Sequence, residues 1–304
     1  MKKLLIPGSL LLSFALAMAL LVSAVSGAPV AENLELETYR GVSIGGNLSA
    51  KTADGGAVTF EITTDPVKGS VDLDPDGHFV YTPLDGKRGR DYFGYKAIDA
   101  DGVRSQEATV IIKIQKQKSK ITYSDTTGLD CAYAAAKLAE EDIYVGECLA
   151  GSYVFSPEQP VSREEFLALC LRCTGAEPLR GVRSTGFGDD GDIGDWAKPY
   201  VSTALLCGVV SGYASDTGAA VFRPDEPITA AEAAAMLDRA AELTDAVAAW
   251  FGFDDAVPAW ARQSAANVSA CGLLPGGCSF TDETLSRGDA AVMLVRTMAL
   301  LEER

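Results

Sequence analysis

Two short stretches in the C-terminal half of the chain set a cation at the start of a helix. They read Ser162-Arg163-Glu164-Glu165 and Ser286-Arg287-Gly288-Asp289; a third, Thr229-Ala230-Ala231-Glu232, repeats the pattern with alanine in place of the cation. Ser162, Thr229 and Ser286 are N-cap residue types, and Glu165, Glu232 and Asp289 stand three positions later. That is the spacing of a capping box, with aspartate as a shorter substitute in the third copy. Hydroxyl and acid are thereby explained as stability devices. The arginines are not, because a cation at a helix N-terminus opposes the macrodipole, at a cost of about a few tenths of a kcal/mol. Two readings account for them. Either Glu164 or Glu165 neutralises Arg163 as a surface pair, or guanidinium and free backbone N–H groups converge on one anion, a carboxylate or a phosphate.

Other chemistries are poorly supplied. His78 is the single histidine and sits beside a turn glycine in a strand-rich stretch, so it reads as a solvated turn residue. A histidine-activated serine or cysteine nucleophile would have to share it, and histidine-ligated metal chemistry is excluded with it. Seven cysteines, at 131, 148, 170, 173, 207, 271 and 278, leave at least one unpaired. Cys170 and Cys173 form a C-x-x-C on an apolar helix, which reads as core rather than zinc ligation. A Cys148–Cys278 bridge requires that their two loops meet. The formal net charge of −16 repels nucleic acid and works against bulk adsorption to an anionic wall or membrane. An acidic ligand must therefore be held by a local pocket.

The elements that carry these residues fall into separate units. Residues 1–28, "MKKLLIPGSLLLSFALAMALLVSAVSGA", have the basic, apolar and small-residue order of a secretory signal peptide, the alternative being an uncleaved anchor. Residues 29–117 alternate apolar and polar side chains in "AVTFEIT", "GSVDLD", "HFVYTP", "DYFGYKAI" and "EATVIIKIQ", separated by "TADGG", "DPDG" and "DADG" turns. This predicts an antiparallel β-sandwich with Val58, Phe60, Ile62, Phe79, Tyr81, Phe93, Tyr95, Val110, Ile112 and Ile114 facing its core. Asp54, Asp99 and Asp101 could offer oxygens to calcium, or simply cap their own turns. A basic linker at 118–122 follows.

From residue 123 the chain turns alanine-rich and repeats itself at 123–180, 184–245 and 250–304. Each copy opens on an aromatic followed by Asp125, Asp189 or Asp254. A helix then ends near Gly146, Gly212 or Gly276, and a loop with Phe155, Phe222 or Phe280 leads into a capped second helix. Trp196 and Trp260 occupy matched positions, with Cys131 in the first copy, and at the start of amphipathic helices they read as core. If Ala230 silences one site, Arg223 from the preceding loop is its substitute.

The run "KGSVDLDPDGHFVYTP…GRDYFGYKAIDADGVRSQEATVIIKI" resembles the immunoglobulin-like, cadherin-like repeats of bacterial surface proteins. The aromatic-and-aspartate start, glycine-ended helix and capped second helix, three times in order, with an F-x-P loop in the first two copies and a shortened loop without the proline in the third, resemble S-layer homology domains. The two resemblances together imply an all-β, immunoglobulin-like sandwich followed by an all-α, pseudo-threefold bundle of three S-layer homology repeats, the third divergent. They further imply a secreted, non-enzymatic bacterial protein anchored on the cell wall, whose inter-repeat grooves bind secondary cell-wall polysaccharide. In many relatives that polymer carries pyruvate ketals, which are carboxylates. Ser162, Arg163, Glu165, Gly146, Gly212, Thr229, Gly276, Ser286 and Arg287 are the expected contacts, with no cofactor beyond the calcium possibility. Competing readings are an S-layer lattice or accessory protein and an enzyme that cuts wall glycans with paired carboxylates.

Overall fold

A computed structural model describes residues 27–53, 55–216, 218–253, 257–280 and 284–304. Residues 1–26, most of the expected signal peptide, lie outside them, as do Asp54 and Asp254.

The N-terminal unit holds β1 (Val30–Ala31), β2 (Leu34–Tyr39), β3 (Ile44–Asn47), β4 (Ala50–Lys51), β5 (Val58–Thr64), β6 (Gly69–Leu73), β7 (His78–Pro83), β8 (Gly89–Asp99) and β9 (Ala108–Gln115). Two sheets, ordered β2-β9-β8-β5 and β3-β7-β6, face each other, and β1 pairs with β4. Period-two alternation drives this arrangement, because it gives each strand one apolar face to bury against the other sheet. Phe79, Tyr81, Phe93, Tyr95, Val110 and Ile112 are fully buried between the sheets. Each contributes about 1.5–3 kcal/mol relative to exposure. Val58, Phe60 and Ile62, on the edge strand β5, are only half-buried. The buried Tyr81 hydroxyl donates to Asp91 Oδ2 at 2.8 Å, and the same carboxylate accepts from the Val67 and Lys68 backbone. No polar atom of that pair is stranded. One feature departs from the antiparallel expectation: β2 runs parallel to β9, so the first long strand lies beside the last.

The C-terminal unit contains α1 (Ala132–Glu140), α2 (Arg163–Cys173), α3 (Lys198–Leu206), α4 (Ala230–Ala241), α5 (Arg262–Ala270) and α6 (Arg287–Glu302). Full capping boxes start α2 and α4. At α6, Ser286 accepts from the Asp289 backbone N–H, while the Asp289 carboxylate takes the Ser286 hydroxyl, being too short to complete the box. Two of the expected loops are small hairpins, β10 (Glu147–Leu149) with β11 (Ser152–Val154), and β12 (Tyr213–Ala214) with β13 (Ala220–Val221). Asp125 and Asp189 explain the aromatic-x-Asp pattern. Their carboxylates accept the backbone N–H groups of Phe155 and Ser156, and of Phe222 and Arg223, fixing left-handed turns at Ser156 and Arg223.

The three helix pairs interlock. The first helix of each pair packs on the second helix of another: α1 on α6, α3 on α2 and α5 on α4. The capped helices α2, α4 and α6 also touch one another at the centre. There the residues before the caps close a ring of backbone hydrogen bonds: Val161 N to Leu285 O, Leu285 N to Ile228 O, and Ile228 N to Val161 O. All three side chains are buried. No helix of the described residues is long and apolar enough to cross a membrane.

Candidate functional site

The backbone N–H groups at the two arginine-bearing helix starts are already used. In α2, Arg163 N donates to Glu226 O (3.0 Å), Glu164 N to Pro224 O (3.1 Å) and Glu165 N to Ser162 Oγ (3.3 Å). In α6, Arg287 N donates to Gln159 O, Gly288 N to Pro157 O and Asp289 N to Ser286 Oγ. These bonds tie one helix pair to the next. The expected receptor made of helix-end N–H groups is therefore not what these termini form, because inter-pair bonding consumes the donors.

The Arg163 side chain tells a different story from its backbone. It is only 4% exposed and reaches across to the second helix pair, not to its own acids. Nε donates to Phe222 O at 3.1 Å, and the guanidinium lies 4.8 Å from the Tyr213 ring centre and 5.4 Å from that of Phe222. Glu165 is occupied by the Ser162 backbone, and Glu164 accepts from Gly194 N at 3.0 Å, its carboxyl pushed up by burial. The neutralising acid is Glu232, whose Oε2 lies 3.1 Å from Arg163 Nη1. That contact is at ion-pair distance but lacks hydrogen-bond geometry, which leaves the buried Nη1 with unspent donor capacity. Glu232 is already held by Thr229 N and the Tyr213 hydroxyl. Burial, followed by the bond to Glu232, pushes the Tyr213 phenol up to about 12, so it remains a neutral donor.

Arg163 opens onto a cleft of about 300 Å³, also lined by Gly212, Tyr213, Met236, Arg239 and Trp260. Arg239 donates to Val209 O at 3.2 Å, and its equivalents Arg172 and Arg296 likewise bind backbone carbonyls near the ends of α1 and α5. This arginine stands seven residues after Glu165, Glu232 and Asp289. That recurrence is a signal which sequence reasoning passed over. Trp260 and Trp196 are 56% and 53% exposed, so they are not core; they end the chain segments leading into α5 and α3. Arg223 lies with its guanidinium 4.6 Å from the same Tyr213 ring, so it borders the Arg163 cleft and does not replace the arginine missing at Ala230.

The remaining expected contacts spread over two other places. Arg287 is half-buried; it donates to Phe155 O and Gln159 Oε1, each at 2.9 Å, and sits over Tyr144 at 5.6 Å. Its partners there are neutral. Gly146 and Gly212 have positive φ, and a Cβ on either would strike a hairpin carbonyl, Val154 O at 2.5 Å or Val221 O at 2.8 Å. They are needed for backbone approach. Gly276 differs: it is covered by the sandwich, where a Cβ would lie 2.6 Å from His78 Nδ1.

His78 is thus no solvated turn residue; its side chain is 19% exposed and packs between the two units. Asp99 Oδ1 accepts from the Asp101 and Val103 backbone within its own turn. No group of three or more His, Cys, Asp or Glu among the described residues is arranged to hold a metal. No disulfide is formed among them, and Cys148 and Cys278 are not bridged.

Comparison with known proteins agrees with this division. The bacterial cadherin-like domain model matches residues 26–116, and the S-layer homology domain model matches residues 186–234. The chain is 27% identical over 128 residues to an amylopullulanase of Thermoanaerobacterium thermosulfurigenes, covering 40% of this chain and 6% of that protein. Among solved structures, an endo-fucoidan hydrolase of glycoside hydrolase family 107 aligns at 16% identity and TM-score 0.26, over 31% of this chain and 14% of that one. The SrpA adhesin of Streptococcus sanguinis aligns at 19% identity and TM-score 0.24, over 34% of this chain and 68% of that one. Human protocadherin-24 EC1-2 gives 16% identity and 0.25, over 30% and 53%. The chain therefore carries a bacterial cadherin-like domain followed by a helical region with an S-layer homology domain, and that second match, residues 186–234, supplies Gly212, Tyr213 and Glu232 to the Arg163 cleft.

Proposed function

We propose that this protein is a non-enzymatic surface protein, exported and held non-covalently on bacterial cell-wall polysaccharide, with the cadherin-like domain projecting as a spacer or adhesive module. On this reading all three helix pairs are S-layer homology repeats about a pseudo-threefold axis, and the Arg163 cleft binds the polymer. The single observation that carries it is the buried Nη1 of Arg163, a cationic donor without a hydrogen bond, lining an open cleft with an exposed tryptophan. A guanidinium paired with Glu232 yet keeping donor capacity at the floor of a cleft suits a small carboxylate such as a pyruvyl group. The cleft volume, at the low end of the roughly 300–1,000 Å³ range of ligand sites, suits one or two sugar rings. Trp260 offers a flat apolar face for one of them. The Arg287 site, with its neutral partners and Trp196 in the matched position, is the second candidate.

The amylopullulanase acts as an enzyme by its name, but the likeness spans 6% of it, which suits a shared module better than shared catalysis. Co-sedimentation with purified wall sacculi tests the reading. Retention is expected on native sacculi and should be lost after acid extraction of the secondary polymer. Equal retention on extracted sacculi, or glycan cleavage by the purified protein, would overturn it.

A further inference from the structure

Helix starts place the three copies in register: Cys131, Ala197 and Ala261 are the N-cap residues of α1, α3 and α5, all buried. The residue before each is then Asp130, Trp196 and Trp260. The position that carries an exposed tryptophan in two copies is therefore an aspartate in the first, and Cys131 is not its counterpart. Gly276 corresponds to Gly212, and Ala230 to Arg163. One of the three matching places has thus lost both its arginine and its aromatic platform. The sandwich covers that place. His78 Nδ1 and Asn47 Oδ1 lie where a Cβ on Gly276 would reach, at 2.6 and 3.2 Å. His78 Nε2 is 3.8 Å from Asp130 Oδ2, and Gly45 N donates to Asp130 O at 3.2 Å. A Cβ on Gly45 would stand 2.5 Å from that of Asp130.

We infer that this third groove is an internal docking site whose occupant is the protein's own cadherin-like domain, so that the two domains move as one rigid body. Each replacement suits a protein occupant. Alanine removes a cation that would need a partner and aspartate meets the lone histidine, while Gly276, a glycine in every copy, and Gly45 of the sandwich allow backbone-close approach. Independent contacts extend the seam. Tyr39 packs against Tyr133 with ring centres 5.4 Å apart and planes tilted by 39°, and Gly128 N donates to Ser43 Oγ at 3.2 Å. The connecting segment is pinned as well, with Lys118 N and Ser119 N both donating to the Glu140 carboxylate at 2.7 Å. A chain joined by a free linker would instead leave its domains to tumble separately.

The inference does not rest on the polymer reading, and its test involves no glycan. Backbone 15N relaxation of the full chain is expected to give one rotational correlation time for both domains, with slow hydrogen exchange at the Gly45 and Gly128 amides. Gly276→Leu and Gly45→Leu each drive a side chain into the seam from opposite sides. Either is expected to release the sandwich, shortening its correlation time about twofold relative to the wild type, as for a body of smaller mass on a flexible tether. Two correlation times in the wild-type chain would overturn the inference whatever the variants do. So would a single time in a folded variant.

Discussion

Replacing Arg163 separates two consequences that the cleft geometry couples. The side chain is 4% exposed and faces Glu232 at 3.1 Å, with Phe222 O as its clear acceptor. Removing one partner of a buried ion pair costs about 3–5 kcal/mol when the other is left uncompensated. Glu232 would not be left so, since Thr229 N and the Tyr213 hydroxyl still hold it, and the lower end, about 3 kcal/mol, applies. For a helical unit of this size that is a fall in Tm of about 6–12 °C. Arg163→Met keeps most of the apolar stem and isolates the charge. A double-mutant cycle with Glu232→Gln is expected to give a coupling of about 1–3 kcal/mol. Sacculus binding, measured well below the lowered Tm, is expected to weaken about ten- to hundredfold, the value of a hydrogen bond between charged groups. Arg287→Ala, which loses bonds to neutral oxygens from a half-buried position, should cost only about 1 kcal/mol. An Arg163→Met protein that melts like wild type and binds like wild type would refute the argument on both counts.

Trp260→Ala should leave stability within about 0.5 kcal/mol, because the ring is more than half exposed, while reducing sacculus binding about tenfold by titration. Iodoacetamide labelling read by mass spectrometry should mark Cys148 and Cys207, which are exposed. Cys131 and Cys173, whose thiols burial pushes up to about 12, and Cys170, pushed higher still, should react only on unfolding. Asp190 is held at about 2 by the backbone and hydroxyl donors of Thr185, with Lys198 adding to them. Its folded value lies below its ordinary 3.8, so its contribution is present above that pH and is lost as pH falls toward 2. Asp190→Asn should flatten the acid limb of a stability–pH curve in that window.

Much of the framework was legible because it depends on local pattern. Period-two runs located β5 through β9, and Ser162, Thr229 and Ser286 located the starts of α2, α4 and α6 within a residue. What escaped depends on contacts between copies. Nothing in Ser162-Arg163-Glu164-Glu165 reveals that Glu226 and Pro224 take the first N–H groups, or that Arg163 pairs with an acid sixty-nine positions on. The tryptophans are exposed rather than core for a related reason. Amphipathic spacing marks a face, and only the interlocking of pairs decides whether that face meets protein or solvent. Cys131 does not align with the tryptophans because the first copy is two residues shorter than the second, and one shorter than the third, between its opening aspartate and the helix N-cap. The β2–β9 pairing was out of reach because parallel partners this far apart leave no turn to read. His78 looked solvated since its covering residue, Gly276, belongs to the other half of the chain.

The packing of α1 against α6 has a mechanical consequence. The helix nearest the sandwich rests on the last helix of the chain, so on the proposed anchoring a pull on the sandwich would not be delivered to a single strand of polypeptide. It would enter as shear along the α1–α6 side-chain seam, with the backbone ring of Val161, Ile228 and Leu285 behind it. Under the proposed anchoring, such packing would oppose peeling one helix pair at a time, because α1 and α6 have to part before either end of the bundle opens.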